Sequence, residues 1–131
     1  MLSALGDMQM KRFLAIAAFL ALTAALASAA DISGIWKGAF DYSGNNVALT
    51  FNFKNSGSTV EGTIEGLPTT PAKIMDGKVQ GETVTFWVNI EFQGQPLKLV
   101  YSGKVAGDQI EFNMGTEDGS WGTQVTAKKA S

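Results

Sequence analysis

The sequence predicts an all-β fold, an eight-stranded antiparallel up-and-down β-barrel preceded by a helical signal peptide. Three observations carry this reading. From Asp31 onward apolar and polar residues alternate with period two, Gly or Asn breaks the alternation at short intervals, and one hairpin is repeated. The repeat pairs Gly77-Lys-Val-Gln-Gly-Glu-Thr-Val-Thr-Phe86 with Gly103-Lys-Val-Ala-Gly-Asp-Gln-Ile-Glu-Phe112.

With 131 residues, 45% hydrophobic and 17% charged, the chain has the composition of one ordinary globular domain. Its first 30 residues stand apart. Lys11-Arg12 followed by the apolar run Phe13 to Leu26 reads as the charged and hydrophobic parts of a signal peptide, and Ala27-Ser28-Ala29 supplies a small-residue cleavage site. The run is too short for a membrane span, which needs about 20 apolar residues. The expected organisation is therefore a signal peptide over 1–30, with Met10 as an alternative start, and one domain over 31–131.

The inward residues of the eight strands follow from the period. They are Trp36, Gly38, Phe40 and Tyr42; Val47, Leu49, Phe51 and Phe53; Val60, Gly62 and Ile64; Met75, Gly77 and Val79. The second half gives Val84, Phe86, Val88, Ile90 and Phe92; Leu97, Leu99, Tyr101, Gly103 and Val105; Ile110, Phe112 and Met114; Trp121, Thr123, Val125 and Ala127. Alternate positions are mostly polar, as a solvated outer face requires.

Turns fix the register, because residues opposite each other in a hairpin share a face. Gly81-Glu82 and Gly107-Asp108, read as two-residue turns with Gly first, set Val79 against Val84, Gly77 against Phe86, Val105 against Ile110 and Gly103 against Phe112. A turn centred on Ser56-Gly57 places Phe51 opposite Gly62. Four-residue loops at Ser43 to Asn46 and Gln93 to Pro96 place Phe51 opposite Gly38 and Phe86 opposite Gly103. Glycines then sit beside phenyl rings, which cover bare backbone where the wall bends. Closure brings the eighth strand beside the first and removes exposed edges. An open sandwich would give the same inward residues.

Gly34-Ile35-Trp36 resembles the Gly-x-Trp opening of lipocalins and avidins, the calycin-type barrels. That resemblance implies a Trp36 packed across a closed end; the tight turns at Ser56-Gly57, Gly81-Glu82 and Gly107-Asp108 lie at the same end as residue 31, so Phe53, Val60, Val79, Val84, Val105 and Ile110 are expected to plug it with Trp36. In lipocalins a late Arg stacks on this Trp; here no Arg follows residue 30, which leaves Lys128 or Lys129 for the place. More specifically, Asp31 to Phe40, Leu49 to Lys54, Val60 to Ile64 and the Gly-Lys-Val-x-Gly hairpins resemble a small secreted domain of environmental bacteria. The resemblance spans essentially residues 31–131 and implies export, alone or joined to larger exported proteins, without established catalytic residues.

Beyond residue 30 the chain has eight Lys, eleven acidic residues and no Arg, His or Cys. Clustered cations for nucleic acid are missing, as are a disulfide framework, a thiol nucleophile and imidazole ligands for zinc or copper. Export without cysteine suits a periplasm or extracellular medium. Glu61, Glu65, Glu82, Glu91 and Glu111 all fall on the outer face or at turns, away from the common cleft that a carboxylate pair needs. Glu117-Asp118 falls short of a calcium ligand set. These features point away from an enzyme, and neither a metal nor a cofactor is expected.

An eight-stranded barrel is either packed solid or holds one small ligand. Its wide end is expected to be ringed by the loops Ser43 to Asn46, Leu67 to Pro71, Gln93 to Pro96 and Gly115 to Ser120. Candidate ligand contacts there are Tyr42, Ile90, Phe92, Tyr101, Met114 and Trp121, with Ile64, Met75, Leu97 and Leu99 nearby. An uncharged apolar lining suits a small neutral hydrophobic molecule better than a carboxylate, which would want a buried cation. On the outer face Trp87 and Val100 interrupt the polar pattern and are candidates for contact with another exported protein or a polysaccharide. No stable membrane span is expected once the signal peptide is removed.

Overall fold

A computed structural model describes residues 29–131, all of them strand, turn or loop. The expected signal peptide over 1–30 lies almost wholly outside the described residues. Nine strand segments run in order: β1 (Gly34–Tyr42), β2 (Asn45–Ser56), β3 (Thr59–Glu65), β4 (Ala72–Lys73), β5 (Met75–Gln80), β6 (Thr83–Phe92), β7 (Gln95–Ala106), β8 (Gln109–Thr116) and β9 (Gly122–Lys129). The short β4 and β5 together form the fourth stave. Each stave pairs antiparallel with the next and β9 pairs with β1, so eight staves close an up-and-down barrel. Closure excludes the open sandwich.

Alternation does what the period requires. Along β6 Val84, Phe86, Val88 and Ile90 are buried while Thr83, Thr85, Asn89 and Glu91 are exposed. The five glutamates expected on the outer face or at turns are all exposed.

Three hairpins at one end turn on Gly57, Gly81 and Gly107, each with φ near +60° at the first central position and no positive φ at the second, the type II′ geometry. The expected pairs Val79↔Val84, Val105↔Ile110 and Gly103↔Phe112 are present. Three other registers differ from expectation by two residues. The β2–β3 turn is Gly57-Ser58, so Phe53, not Phe51, faces Gly62, and Phe51 faces Ile64. At the opposite end Ser43-Gly44 and Gln93-Gly94 are two-residue turns with positive φ at both positions, the type I′ geometry, instead of four-residue loops. Gly38 therefore faces Leu49, and Phe86 faces Tyr101. A two-residue slip preserves the face, so the core is unchanged while its layers shift.

The fourth stave is a genuine departure. Asp76 takes a φ of +50° and the register with β6 shifts between Met75 and Lys78, so Met75 pairs with Trp87 on the outer face and is 36% exposed. Ile74 is buried in its place. This bulge also removes the expected Gly77–Phe86 pairing.

The closed end is sealed by the residues expected there. Trp36, Phe53, Val60, Val79, Val84, Val105 and Ile110 are buried, and the Lys129 ammonium lies 5.8 Å from the Trp36 ring centroid. The chain entering the barrel adds a further seal. Ile32 is buried, its carbonyl accepts the Trp36 Nε1 hydrogen bond at 2.9 Å, and its own N–H donates to Asn55 Oδ1 at 2.6 Å.

Candidate functional site

Between the two ends the barrel changes character. Its middle is filled by aromatic side chains: Phe86 stacks on Tyr101 with centroids 4.7 Å apart, Phe51 stacks on Phe112 at 5.3 Å, and Phe53 leans on Phe86 at 5.8 Å. Gly103 makes this packing possible, because a Cβ there would overlap the Phe112 ring.

Above the aromatic plug the barrel opens. A cavity of about 520 Å³ reaches the wide end, its wall formed by the strand residues Phe40, Tyr42, Val47, Ile90, Phe92, Leu97, Leu99, Met114 and Thr116, with Gly66, Leu67, Pro68 and Trp121 from the loops. Among these residues none is charged at neutral pH, so a ligand charge entering the site would lose hydration without a partner.

Five of the six expected contacts line this cavity: Tyr42, Ile90, Phe92, Met114 and Trp121. Tyr101 does not. The two-residue turn at Gln93-Gly94 sets it opposite Phe86 rather than Val88, one layer deeper, where it is fully buried in the plug. Burial pushes its phenol well above the ordinary value, and its hydroxyl is the one buried side-chain polar atom among the described residues without a hydrogen-bond partner. Ile64 drops into the core by the same slip in the β2–β3 turn, and Met75 is outside because of the bulge. The alternation had placed Phe40 and Val47 inward without assigning them to the mouth. The loop Leu67 to Pro71, expected to ring the mouth, supplies Leu67 and Pro68, although neither they nor Gly66 were named as contacts; the signal available was an isolated Leu within a Gly- and Pro-rich loop.

The rings at the rim support one another. Tyr42 meets Phe92 and Trp121 edge to face, both at 5.9 Å, and Phe40 meets Trp121 at 6.0 Å. Trp121 is anchored through Thr116, whose Oγ1 accepts the Trp121 backbone N–H at 3.1 Å and whose N–H donates to the Trp121 carbonyl at 2.9 Å. Asp118 braces the same loop, accepting the Thr116 hydroxyl at 2.8 Å and the Ser120 N–H at 2.9 Å. The Ser120 hydrogen bonds, followed by that from Thr116, hold its carboxyl below the ordinary range. Asp118 is thus committed to the loop.

On the outer face Trp87 is half-buried and Val100 is 38% exposed; they pair across β6 and β7, and Met75 extends the row on β5. Trp87 Nε1 donates to Asp76 Oδ2 at 2.9 Å, and the Lys98 ammonium lies 4.3 Å from the Trp87 ring centroid while pairing with Glu117 at 3.0 Å. One face of the indole is therefore occupied by the chain's own cation.

No family model, no curated protein and no solved structure matches the chain; its eight-stranded antiparallel barrel is consistent with a calycin-like fold.

Proposed function

We propose that this protein is an exported, non-enzymatic lipocalin- or avidin-like barrel that holds a small neutral hydrophobic ligand at its wide end. The observation that carries the reading is the open cavity of about 520 Å³ with an apolar, uncharged wall. Its size falls within the range of about 300–1,000 Å³ typical of small-molecule sites. A solid core would have argued against this reading, yet only the lower part of the barrel is filled. The site of action is the periplasm or the extracellular medium, a reading that rests on the N-terminal segment and the absence of cysteine.

Native mass spectrometry of the protein purified from its own host tests the proposal. The expected spectrum shows a mass increment that disappears on denaturation. A ligand-free spectrum, together with no binding of neutral apolar probes, would reject it.

A second reading has one observation in its favour. The row Met75, Trp87 and Val100 exposes apolar surface on one outer wall, as a docking face for another exported protein or a polysaccharide would. Under this reading Trp87→Ala weakens association with that partner while hardly moving the melting temperature.

A further inference from the structure

The cavity is shallow for a barrel of this size. On β1, β6 and β8 the two wall residues are the inward positions nearest the mouth, Phe40 and Tyr42, Ile90 and Phe92, Met114 and Thr116; on β7 they are Leu97 and Leu99, the next inward positions below Gln95 at the rim. Two inward positions span about 6.6 Å of strand, and with half a layer at either end and the strand tilt the depth is roughly 10 Å. Below them the plug of Phe51, Phe86, Tyr101 and Phe112 is fully packed, and its rings interlock by stacked and edge contacts.

From this shape we infer that the ligand is a compact fused-ring molecule and not a long acyl chain, an inference that rests on the ligand-binding reading above. A straight chain of sixteen carbons is roughly 20 Å long when extended, given carbon–carbon bonds of about 1.5 Å. It would leave about half its length in water or have to break the plug. A flat neutral molecule of roughly two to four fused rings buries most of its surface in a cavity of this class. The wall favours the same choice. Phe40, Tyr42, Phe92 and Trp121 already use edge-to-face contacts with one another, and an aromatic guest extends that pattern with its own faces and edges. The uncharged wall also offers no partner to the carboxylate that most natural acyl chains carry.

The experiment uses 1-aminoanthracene as a neutral fluorescent tricyclic probe, with phenanthrene and 1-hexadecanol as competitors. The expected result is saturable binding of the probe, displacement by phenanthrene at a concentration at least ten-fold lower than by 1-hexadecanol, and at least ten-fold weaker binding in Trp121→Ala. Tyr42→Ala provides a second rim variant at a more exposed position, and circular dichroism establishes that each variant is folded. Equal displacement by the two competitors, or preference for 1-hexadecanol, overturns the compact-ring inference while leaving a ligand-binding barrel. Probe binding unaffected in both folded variants overturns the assignment to this cavity. No binding of the probe or of either competitor overturns the ligand-binding reading as well.

Discussion

Tyr42 and Phe92 stand on strands four staves apart, on opposite walls of the barrel, yet their rings meet edge to face across the mouth with centroids 5.9 Å apart and planes at 88°. Each is the last inward residue before a type I′ turn, Ser43-Gly44 or Gln93-Gly94. The pair spans part of the entrance and narrows it. Removing the Tyr42 ring deletes contacts with both Phe92 and Trp121, and such pairs are worth about 0.5–1.5 kcal/mol each. Tyr42→Ala is expected to speed release of a neutral aromatic probe about ten-fold, with Tyr42→Phe close to wild type, as stopped-flow displacement would show.

The plug predicts a stability effect of unusual sign. Tyr101 is buried with an unpartnered hydroxyl, and such a group forfeits about 1–3 kcal/mol of hydration without compensation. Tyr101→Phe keeps the ring stacked on Phe86 and is expected to raise stability by about 1 kcal/mol in urea denaturation. A raised phenol pKa contributes stability that is present below the unfolded value of 10.0 and is lost as pH rises above it. The advantage of the Phe variant therefore widens above pH 10. A variant less stable than wild type would mean that the hydroxyl has a partner.

Gly103 has the opposite sensitivity. An added Cβ would overlap Phe112, whose ring is held between Gly103 and the stacked Phe51, so relief by rotation is blocked. Gly103→Ala is expected to destabilise the barrel by about 1–3 kcal/mol, the usual range for overpacking a core. The equilibrium unfolding midpoint reads this directly.

Asp118 links the mouth to pH. Its lowered pKa means that the stabilising contribution is present above the ordinary value of 3.8 and is lost as pH falls through the still lower folded value. Trp121, held by the loop that Asp118 braces, is expected to keep its fluorescence down to about pH 4 and to change below it, in a Trp87→Phe background that removes one competing signal. Asp118→Asn is expected to abolish that acid-range change.

The mismatches between sequence and structure have local causes. Type II′ turns were legible at Gly81 and Gly107 because Gly occupies the first central position and the flanking strands repeat. Ser43-Gly44 and Gln93-Gly94 were not, because Ser and Gln are unusual at positive φ, and a longer loop gave the same inward faces. Five cavity contacts survived this error, since a slip of two residues keeps a side chain on its own face. Tyr101 did not, because the slip changes the layer.

Alternation along the chain determined the all-β class, the inward set and the neutrality of the interior, since each is a property of a strand's own residues and its period. Tertiary structure decided how far the interior is filled. Cavity depth depends on which rings from opposite walls reach one another, and the Phe51–Tyr101 contact joins residues fifty positions apart. The bridge from Tyr42 to Phe92 belongs with it, because it arises only when the sheet closes on itself, whereas the bulge at Asp76 and the seal by Ile32 need only the pairing of neighbouring segments.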